Sequence, residues 1–242
     1  MHQLHITLQG KGGVGKSYIS SLLAQCYIKQ GSTPLCIDTD PVNATLQGYA
    51  ALDTQHINIV ENNAVNSRRF DDMIETILDE KRDVIIDNGA SSFLPLSHYL
   101  LENNAFELLR NAGRHITVHT VVTGGQALTD TIGGFAMLAE QLPEHVRLVV
   151  WLNEFFGAIE AEDKQFTEMR AYKKHADRIF AIIRLEQRTA ETFGKDIETM
   201  LHQKKTFAEM REDTSCTLMA KQRLSMTEKA IFDQLEPLLH AA

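Results

Sequence analysis

Eight residues near the start of the chain could do chemistry together. Gly10-Lys11-Gly12-Gly13-Val14-Gly15-Lys16-Ser17 fits the phosphate-loop pattern of Gly, four residues, then Gly-Lys-Ser. The glycines let backbone N–H groups turn inward around phosphate oxygens. The positive end of a following helix points at the same anion. Lys16 would neutralise the β- and γ-phosphates, and the Ser17 hydroxyl would ligate Mg²⁺. The flanks fit as well. Leu4 to Leu8 is a short apolar run with strand character, and Ile19, Leu22, Leu23, Cys26 and Tyr27 follow on one helix face.

Carboxylates arrive on two further strands. Leu35 to Ile37 reads as a buried parallel strand that delivers Asp38 and Asp40 to its carboxyl end, with Pro41 ending the element. Ligands of open α/β sheets collect at that end. Val84-Ile85-Ile86 runs into Asp87, which is placed to hold Mg²⁺ through water. A third strand, Val146 to Leu152, ends at Asn153, whose amide can both donate and accept.

Lys11 makes the loop more specific, because an ordinary phosphate loop needs no lysine after its first glycine. With its two lysines five apart, the stretch resembles the deviant Walker A loop of the ParA/MinD ATPase family, which includes the nitrogenase iron protein and the arsenite and tail-anchored-protein ATPases. Ile37-Asp38-Thr39-Asp40-Pro41 and the Walker B-like strand into Asp87 resemble the same family.

The resemblance implies ATP and Mg²⁺ as cofactors, held by Gly10, Lys11, Gly12, Gly13, Val14, Gly15, Lys16, Ser17 and Tyr18, with Asn153 against adenine. It implies Lys11, Lys16 and Asp40 as the catalytic residues. Lys11 would be a signature lysine that crosses a dimer interface to the other subunit's nucleotide. Asp40 would orient the attacking water, Asp38 would support its loop, and Ser17, Asp40 and Asp87 would serve the metal.

The chain also departs from the family. Asn88-Gly89-Ala90-Ser91-Ser92 replaces the usual second switch loop, Tyr18 stands where many relatives carry a threonine, and Ile183-Arg184 replaces Ile-Pro. The short N-terminus, the length and the Ser-Tyr after Lys16 are similar to the TraL/StbB group of plasmid conjugal-transfer ATPases.

These residues need a scaffold, and the remaining pattern describes one. The first helix should run to about Gln30, with Gly31 as its stop. His56 to Val60 reads as a short strand, and Ser67 to Lys81 as an amphipathic helix. Leu94 to Asn111 reads as one helix or two, with a break at Asn103-Asn104. Ile116 to Val122 is a strand, and Ala127 to Leu142 a helix weakened by Gly133-Gly134. Glu160 to His175 reads as a charged helix, Arg178 to Arg184 as the last strand, Thr189 as an N-cap and Leu218 to Leu239 as a final helix. Strands and helices alternate throughout. That pattern specifies an α/β fold: a single doubly wound, mostly parallel sheet with helices on both faces, one phosphate-loop domain over residues 1–242.

Bulk numbers bound the function. The 242 residues are 43% apolar and 23% charged, an ordinary soluble composition. No apolar run approaches the roughly 20 residues of a membrane span. The start lacks a signal-peptide layout and room for an added DNA-binding domain, so a cytoplasmic protein is expected. A net charge of −8 argues against coating nucleic acid, though a local patch for non-specific DNA stays open. Cys26, Cys36 and Cys216 have no metal spacing, and Cys26 and Cys36 read as buried reduced thiols.

The favoured expectation is an ATP-driven homodimer switch working with a protein partner in plasmid DNA transfer or partition. A small-molecule phosphate-loop kinase and a nucleotide-sensing adaptor are the alternatives.

Overall fold

The computed structural model describes residues 2–62 and 64–239. The chain opens on β1 (His2–Thr7), passes through the glycine loop into α1 (Lys16–Lys29) and returns along β2 (Leu35–Asp38). Next come β3 (Thr54–His56) and a small ladder of β4 (Val60–Glu61) and β5 (Ala64–Val65). α2 (Arg69–Asp79), β6 (Val84–Asp87), α3 (Phe93–Glu102), α4 (Ala105–Asn111), β7 (Arg114–Thr123), α5 (Leu128–Gln141) and β8 (Arg147–Asn153) follow. The last third holds β9 (Glu160–Ala161), β10 (Lys164–Gln165), α6 (Arg170–His175), β11 (Ile179–Leu185), α7 (Lys195–His202), α8 (Phe207–Glu212) and α9 (Leu218–Leu239).

Among the described residues the main sheet has seven strands, in the order β11-β8-β7-β1-β6-β2-β3. Every neighbouring pair is parallel. Side chains of a strand alternate between faces, and both faces here are covered. Leu4, Ile6, Ile37, Ile86, Val118 and Val150 pack under α2, α3, α4 and α5. Cys36, Ile85, Val121, Val149 and Trp151 pack under α1, α7, α8 and α9. This is the doubly wound α/β fold that the alternating pattern specified.

The same parity places the chemistry. Asp38 is two residues from Cys36, Asp87 two from Ile85, and Asn153 two from Trp151. All three therefore end their strands on the face that α1 covers. In register Asp38 lies opposite Asp87, and Thr7 lies opposite Asp87 from the other side.

Several elements differ from the sequence reading. The helix expected over Glu160 to His175 is a two-residue β-hairpin, a 3₁₀ turn over Phe166–Glu168 and the short α6. Glu162 and Asp163 hold left-handed φ values of 50° and 58°, the conformation a tight hairpin needs. An Asn-Gly pair would have announced that turn, and Glu-Asp does not. Phe166 still reaches the core, edge-on to Phe135 at 5.6 Å. The strand expected at His56 to Val60 is split between the sheet edge and the β4/β5 ladder. The Asn103-Asn104 break is real, with Asn104 left-handed at φ 51°. Gly31, at φ 85°, stops α1 as expected. Thr189 makes no side-chain cap, and a π-helical turn over Ala190–Gly194 precedes α7.

Under α1 runs a buried polar chain of Trp151, His119, His5 and Tyr27. Trp151 Nε1–H donates to His119 Nδ1 at 2.9 Å. His119 Nε2 lies 2.9 Å from His5 Nδ1, and His5 Nε2 lies 2.8 Å from the Tyr27 hydroxyl. Indole only donates, so each hydrogen bond has one direction and both imidazoles are neutral. Burial lowers His5 from 6.5 to about 3, with the Arg147 charge a second cause. Burial, then the neighbouring His5, holds His119 well below 6.5.

Both pKa values are depressed in the fold. Their stabilisation is full above pH 6.5 and is lost below it, as the unfolded chain takes protons that the folded chain refuses. The slope is up to about 1.4 kcal/mol per pH unit for each histidine. Asp87, pushed up to about 7, works in the opposite direction. Urea unfolding of His5→Phe between pH 6.5 and 4 is expected to lose about one histidine's share of the slope. An unchanged slope would show that His5 titrates in the fold as it does in the open chain.

Candidate functional site

The glycine loop leaves β1 and enters α1 through two residues that only glycine adopts readily. Gly13 has φ 74° and Gly15 φ 102°. Gly15 caps α1, and no side chain takes the first-turn N–H groups. Those donors and the positive helix end are what an anion needs. Lys16 is 7% exposed, and its Nζ donates to the Lys11 carbonyl at 2.9 Å. Burial lowers its pKa, while the charges of Asp87 and Asp40 act the other way.

Asp87 faces this lysine from the end of β6. It is 1% exposed, and burial pushes its carboxyl up to about 7. Hydrogen bonds from Ser17 and Ser20 oppose that shift. The Ser20 hydroxyl is 3.2 Å from Oδ1 and also bonds Thr7 at 2.7 Å. The other oxygen, Oδ2, is buried with no partner.

An unsatisfied carboxylate oxygen beside a serine hydroxyl fits a hard divalent cation. Among the described residues no cluster of three or more His, Cys, Asp or Glu could hold a metal. Mg²⁺ does not require one, since it is commonly held by one or two protein oxygens with phosphates and waters.

Asp38 and Asp40 shape the neighbouring loop. Asp38 is fully buried and accepts from the Asp40 and Gln47 N–H groups at 3.0 and 3.1 Å. Burial raises its pKa and those bonds lower it. Asp40 Oδ1 accepts from Val42 and Asn43 N–H at 2.9 and 3.1 Å. A Cβ on Gly89 would come within 2.8 Å of the Asp40 carboxyl, so the two loops are in contact there. The Thr39 hydroxyl ties them together, donating to the Asp87 carbonyl and to Asn88 Oδ1, both at 3.2 Å.

Lys11 sits on the rim. Its ammonium pairs with Asp130 at the start of α5, 2.8 Å away, with both side chains about half exposed. Pairs this exposed are worth at most about 1 kcal/mol. Its backbone N–H points to Gln9 Oε1 at 3.4 Å. Gln9 is buried, and its Nε2 donates to the Val121 and Thr131 carbonyls at 2.8 and 3.2 Å. A Cβ on Gly134 would lie 2.4 Å from that Oε1, which explains one glycine of the α5 pair. Gly133 has nothing within 4 Å.

Asn153 closes the loop from the far side. Its Nδ2 donates to the Val14 carbonyl at 3.0 Å, and its Oδ1 accepts from Phe155 N–H at 3.2 Å. From Gly13, Gly15, Tyr18 and Asn153 a cavity of about 560 Å³ extends between β11, α7 and α9. Tyr18 is partly buried at its mouth, and burial raises the phenol pKa. The structure thus brings Lys11, Lys16, Ser17, Asp40 and Asp87 around the loop, with Tyr18 and Asn153 at the cavity entrance.

Comparison with known proteins agrees with the fold. Residues 6–199 match the CobQ/CobB/MinD/ParA nucleotide binding domain. The chain belongs to that family. Two proteins from Escherichia coli, each named Protein TraL, are each 50% identical to it over 236 residues, covering 98% of both chains. MinD from Pyrococcus horikoshii OT3, solved with Mg-ADP, superposes with a TM-score of 0.56 at 14% identity over all of both chains. A putative plasmid partition protein from Borrelia burgdorferi B31, bound to AMPPNP, gives 0.52 at 13% identity, covering 98% of this chain and all of that one.

The sequence motifs pointed to the loop and the acids, but not to Gln9, Ser20, Thr7 or Asp130. Gln9 adjoins the motif, and a buried-side polar residue there was the available signal. Asp130 meets Lys11 across 119 positions of sequence, and no spacing rule finds such a contact.

The α5 glycines give a paired test. Gly133→Ala is expected to stabilise the protein by about 0.5–1 kcal/mol, since it removes a helix glycine into open space. Gly134→Ala is expected to destabilise by about 1–3 kcal/mol and to weaken nucleotide binding by displacing Gln9. Thermal melts and nucleotide titration of both variants measure this, and equal behaviour would remove Gln9 from the account.

Proposed function

We propose that the protein is an ATP-binding and hydrolysing dimerisation switch that serves plasmid conjugal transfer. One observation carries the reading. Lys11 lies on the rim of a nucleotide-binding loop, exposed and held by a single weak surface pair. A lysine needed only for its own chain's phosphates would sit inside the loop, as Lys16 does. On this reading ATP brings two copies face to face and each Lys11 leaves Asp130 for the other copy's phosphates. ATP must then bind the dimer better than the monomers, which is the linkage that drives the change.

Within each copy, backbone N–H groups of residues 10–17 and Lys16 hold the phosphates. Lys16 exchanges the Lys11 carbonyl for phosphate oxygens. Asp40 turns from the Val42 and Asn43 N–H groups to position the attacking water, and positioning is most of the catalysis in phosphoryl transfer. Ser17 and Asp87 would hold Mg²⁺, with Asp40 reached through a water; the ion supplies charge neutralisation at the β- and γ-phosphates.

The near full-length likeness to TraL supports transfer over partition, and the net charge of −8 supports a protein partner over a DNA surface. No helix among the described residues is long and apolar enough to cross a membrane. We take residues 1–242 as one ATPase domain acting in the cytoplasm, slow without its partner.

Light scattering on Asp40→Ala is expected to give a dimer with Mg-ATP and a monomer with Mg-ADP. Lys11→Ala should bind ATP yet stay monomeric and lose turnover. Asp130→Asn should raise the ATP-dependent dimer constant by up to about 30-fold, because each dimer breaks two such surface pairs worth at most about 1 kcal/mol apiece. Full turnover by Lys11→Ala would sink the switch, and ATP use that depends on an added metabolite would favour a kinase.

A further inference from the structure

Two acids on separate loops have to act together in the reading above. Asp40 follows β2, and Asp87 ends β6. Thr39 and Asn88 lie beside them; Thr39 is fully buried and Asn88 is 1% exposed. The Thr39 N–H donates to the Asp87 carbonyl at 2.9 Å, which carries the pairing of β2 with β6 one residue past β2. The Thr39 hydroxyl reaches further. It has one proton, and the Asp87 carbonyl and Asn88 Oδ1 each lie 3.2 Å from it. The carbonyl already holds the Thr39 N–H, whereas the buried amide oxygen takes the hydroxyl as its donor.

The other end of the Asn88 amide fixes the second loop. Its Nδ2 donates to the Gly89 carbonyl at 3.0 Å, and the Ser92 hydroxyl donates to the same oxygen at 3.2 Å. Turned over, the amide would set its oxygen against that carbonyl oxygen, so one orientation satisfies both ends. Gly89 in turn touches Asp40. A Cβ on Gly89 would lie 2.8 Å from the Asp40 carboxyl and 3.1 Å from its Cα. These contacts close a ring through Thr39, Asn88, Gly89 and Asp40. The second loop also runs along the phosphate loop. A Cβ on Gly12 would lie 3.9 Å from the Ala90 side chain, and one on Gly10 would lie 2.9 Å from the Phe93 ring.

We propose that Thr39 and Asn88 are positioning residues for ATP hydrolysis, whose buried hydrogen bond sets the Asp40 carboxylate against the loop that borders the phosphates. The inference rests on the ATPase reading above and adds two residues that would hold neither phosphate nor metal. The Asp40 carboxylate accepts from Val42 and Asn43 N–H, within its own loop. Those bonds leave its place relative to the second loop to Thr39, Asn88 and Gly89. Misplacing a group that orients the attacking water by about 1 Å costs up to about 100-fold in rate. The alignment matters in the transition state and not in binding, so the loss falls on kcat and spares nucleotide affinity. A residue that only held the fold together would lower stability and binding along with turnover.

The test compares wild type with Thr39→Val, Thr39→Ser, Asn88→Ala and the double variant Thr39→Val/Asn88→Ala. Valine keeps the branched shape and loses the hydroxyl, and serine keeps the hydroxyl. Single-turnover ATP hydrolysis with the full chain in excess reads the chemical step. Calorimetric titration with Mg²⁺ and AMPPNP reads binding, and thermal melts read the fold. Thr39→Val and Asn88→Ala are expected to hydrolyse ATP at least about tenfold more slowly than wild type, and to bind AMPPNP within about threefold of it. Thr39→Ser should hydrolyse within about threefold of wild type, because it keeps the donor. The double variant should stay within about threefold of the slower single variant, because both substitutions remove one link.

Thr39→Val with the turnover of wild type would overturn the proposal. Losses that multiply in the double variant would overturn it too, as would a loss of AMPPNP binding as large as the loss of rate. Should Thr39→Val not fold, Asn88→Ala decides: a folded variant as fast as wild type overturns the proposal. Wild type that binds AMPPNP and hydrolyses no ATP would overturn the ATPase reading and this inference together. Equal turnover in wild type and every variant would overturn this inference alone.

Discussion

A loop rich in glycine holds an anion only if something outside the loop holds the loop. Each residue fixed in one backbone conformation costs about 1–2 kcal/mol of entropy, and glycine loses the most. Here the restraint comes from buried side chains on separate elements. Lys16 ties the Lys11 carbonyl from α1, and Asn153 ties the Val14 carbonyl from the end of β8. Gln9 takes the Lys11 N–H while bonded to β7 and α5. Two carbonyls thus point outward into donors, which turns the intervening N–H groups toward the concave side. The cradle is a property of these bonds as much as of the glycines.

The tethers can meet because of strand parity. In a fully buried parallel sheet every second side chain faces the same layer. A one-residue slip in β6 would send Asp87 under α3 and bring Ile86 to the phosphate side. The register that pairs Asp38 with Asp87, and Thr123 with Asn153, fixes these ends at one edge of α1. Thr123 strengthens that alignment, its hydroxyl donating to the Asn153 carbonyl at 2.7 Å. The packing of hydrophobic layers and the alignment of the site are therefore one constraint.

Parity and the loop motif are local patterns, which is why residues 10–17, the strands ending in Asp38 and Asp87, and the doubly wound order were legible from sequence. The illegible parts have a common physical cause. Whether Phe166 enters the core from a helix or from a 3₁₀ turn after a hairpin depends on Glu162 and Asp163 accepting left-handed backbone, and apolar spacing does not register that. The Lys11–Asp130 pair and the His5–His119–Trp151 chain join residues that only the folded sheet brings together. Gly133 and Gly134 look identical in sequence, yet one faces open space and the other faces Gln9. Asn153 was visible as a strand-end amide, but its commitment to Val14 and Phe155 was not, and that commitment changes what the residue can offer a ligand.

Charge gives the site a direction. Burial pushes the Asp87 carboxyl toward its neutral form and the Lys16 ammonium toward its neutral form, so each is disfavoured in the charge state that a metal-bound polyphosphate needs. A cation at Asp87 and an anion at Lys16 relieve both penalties at once. Binding and folding then share one free energy: whatever binds the folded site and not the open chain stabilises the fold by mass action. The surface pair of Lys11 with Asp130 stands outside this arrangement, because neither partner is desolvated and little is lost when they part. On the proposed reading, strong coupling in the buried half would keep the nucleotide in its own chain, and weak coupling at the rim would let Lys11 go to a better anion. That division suits a switch whose nucleotide site is fixed while its contacts with another copy come and go.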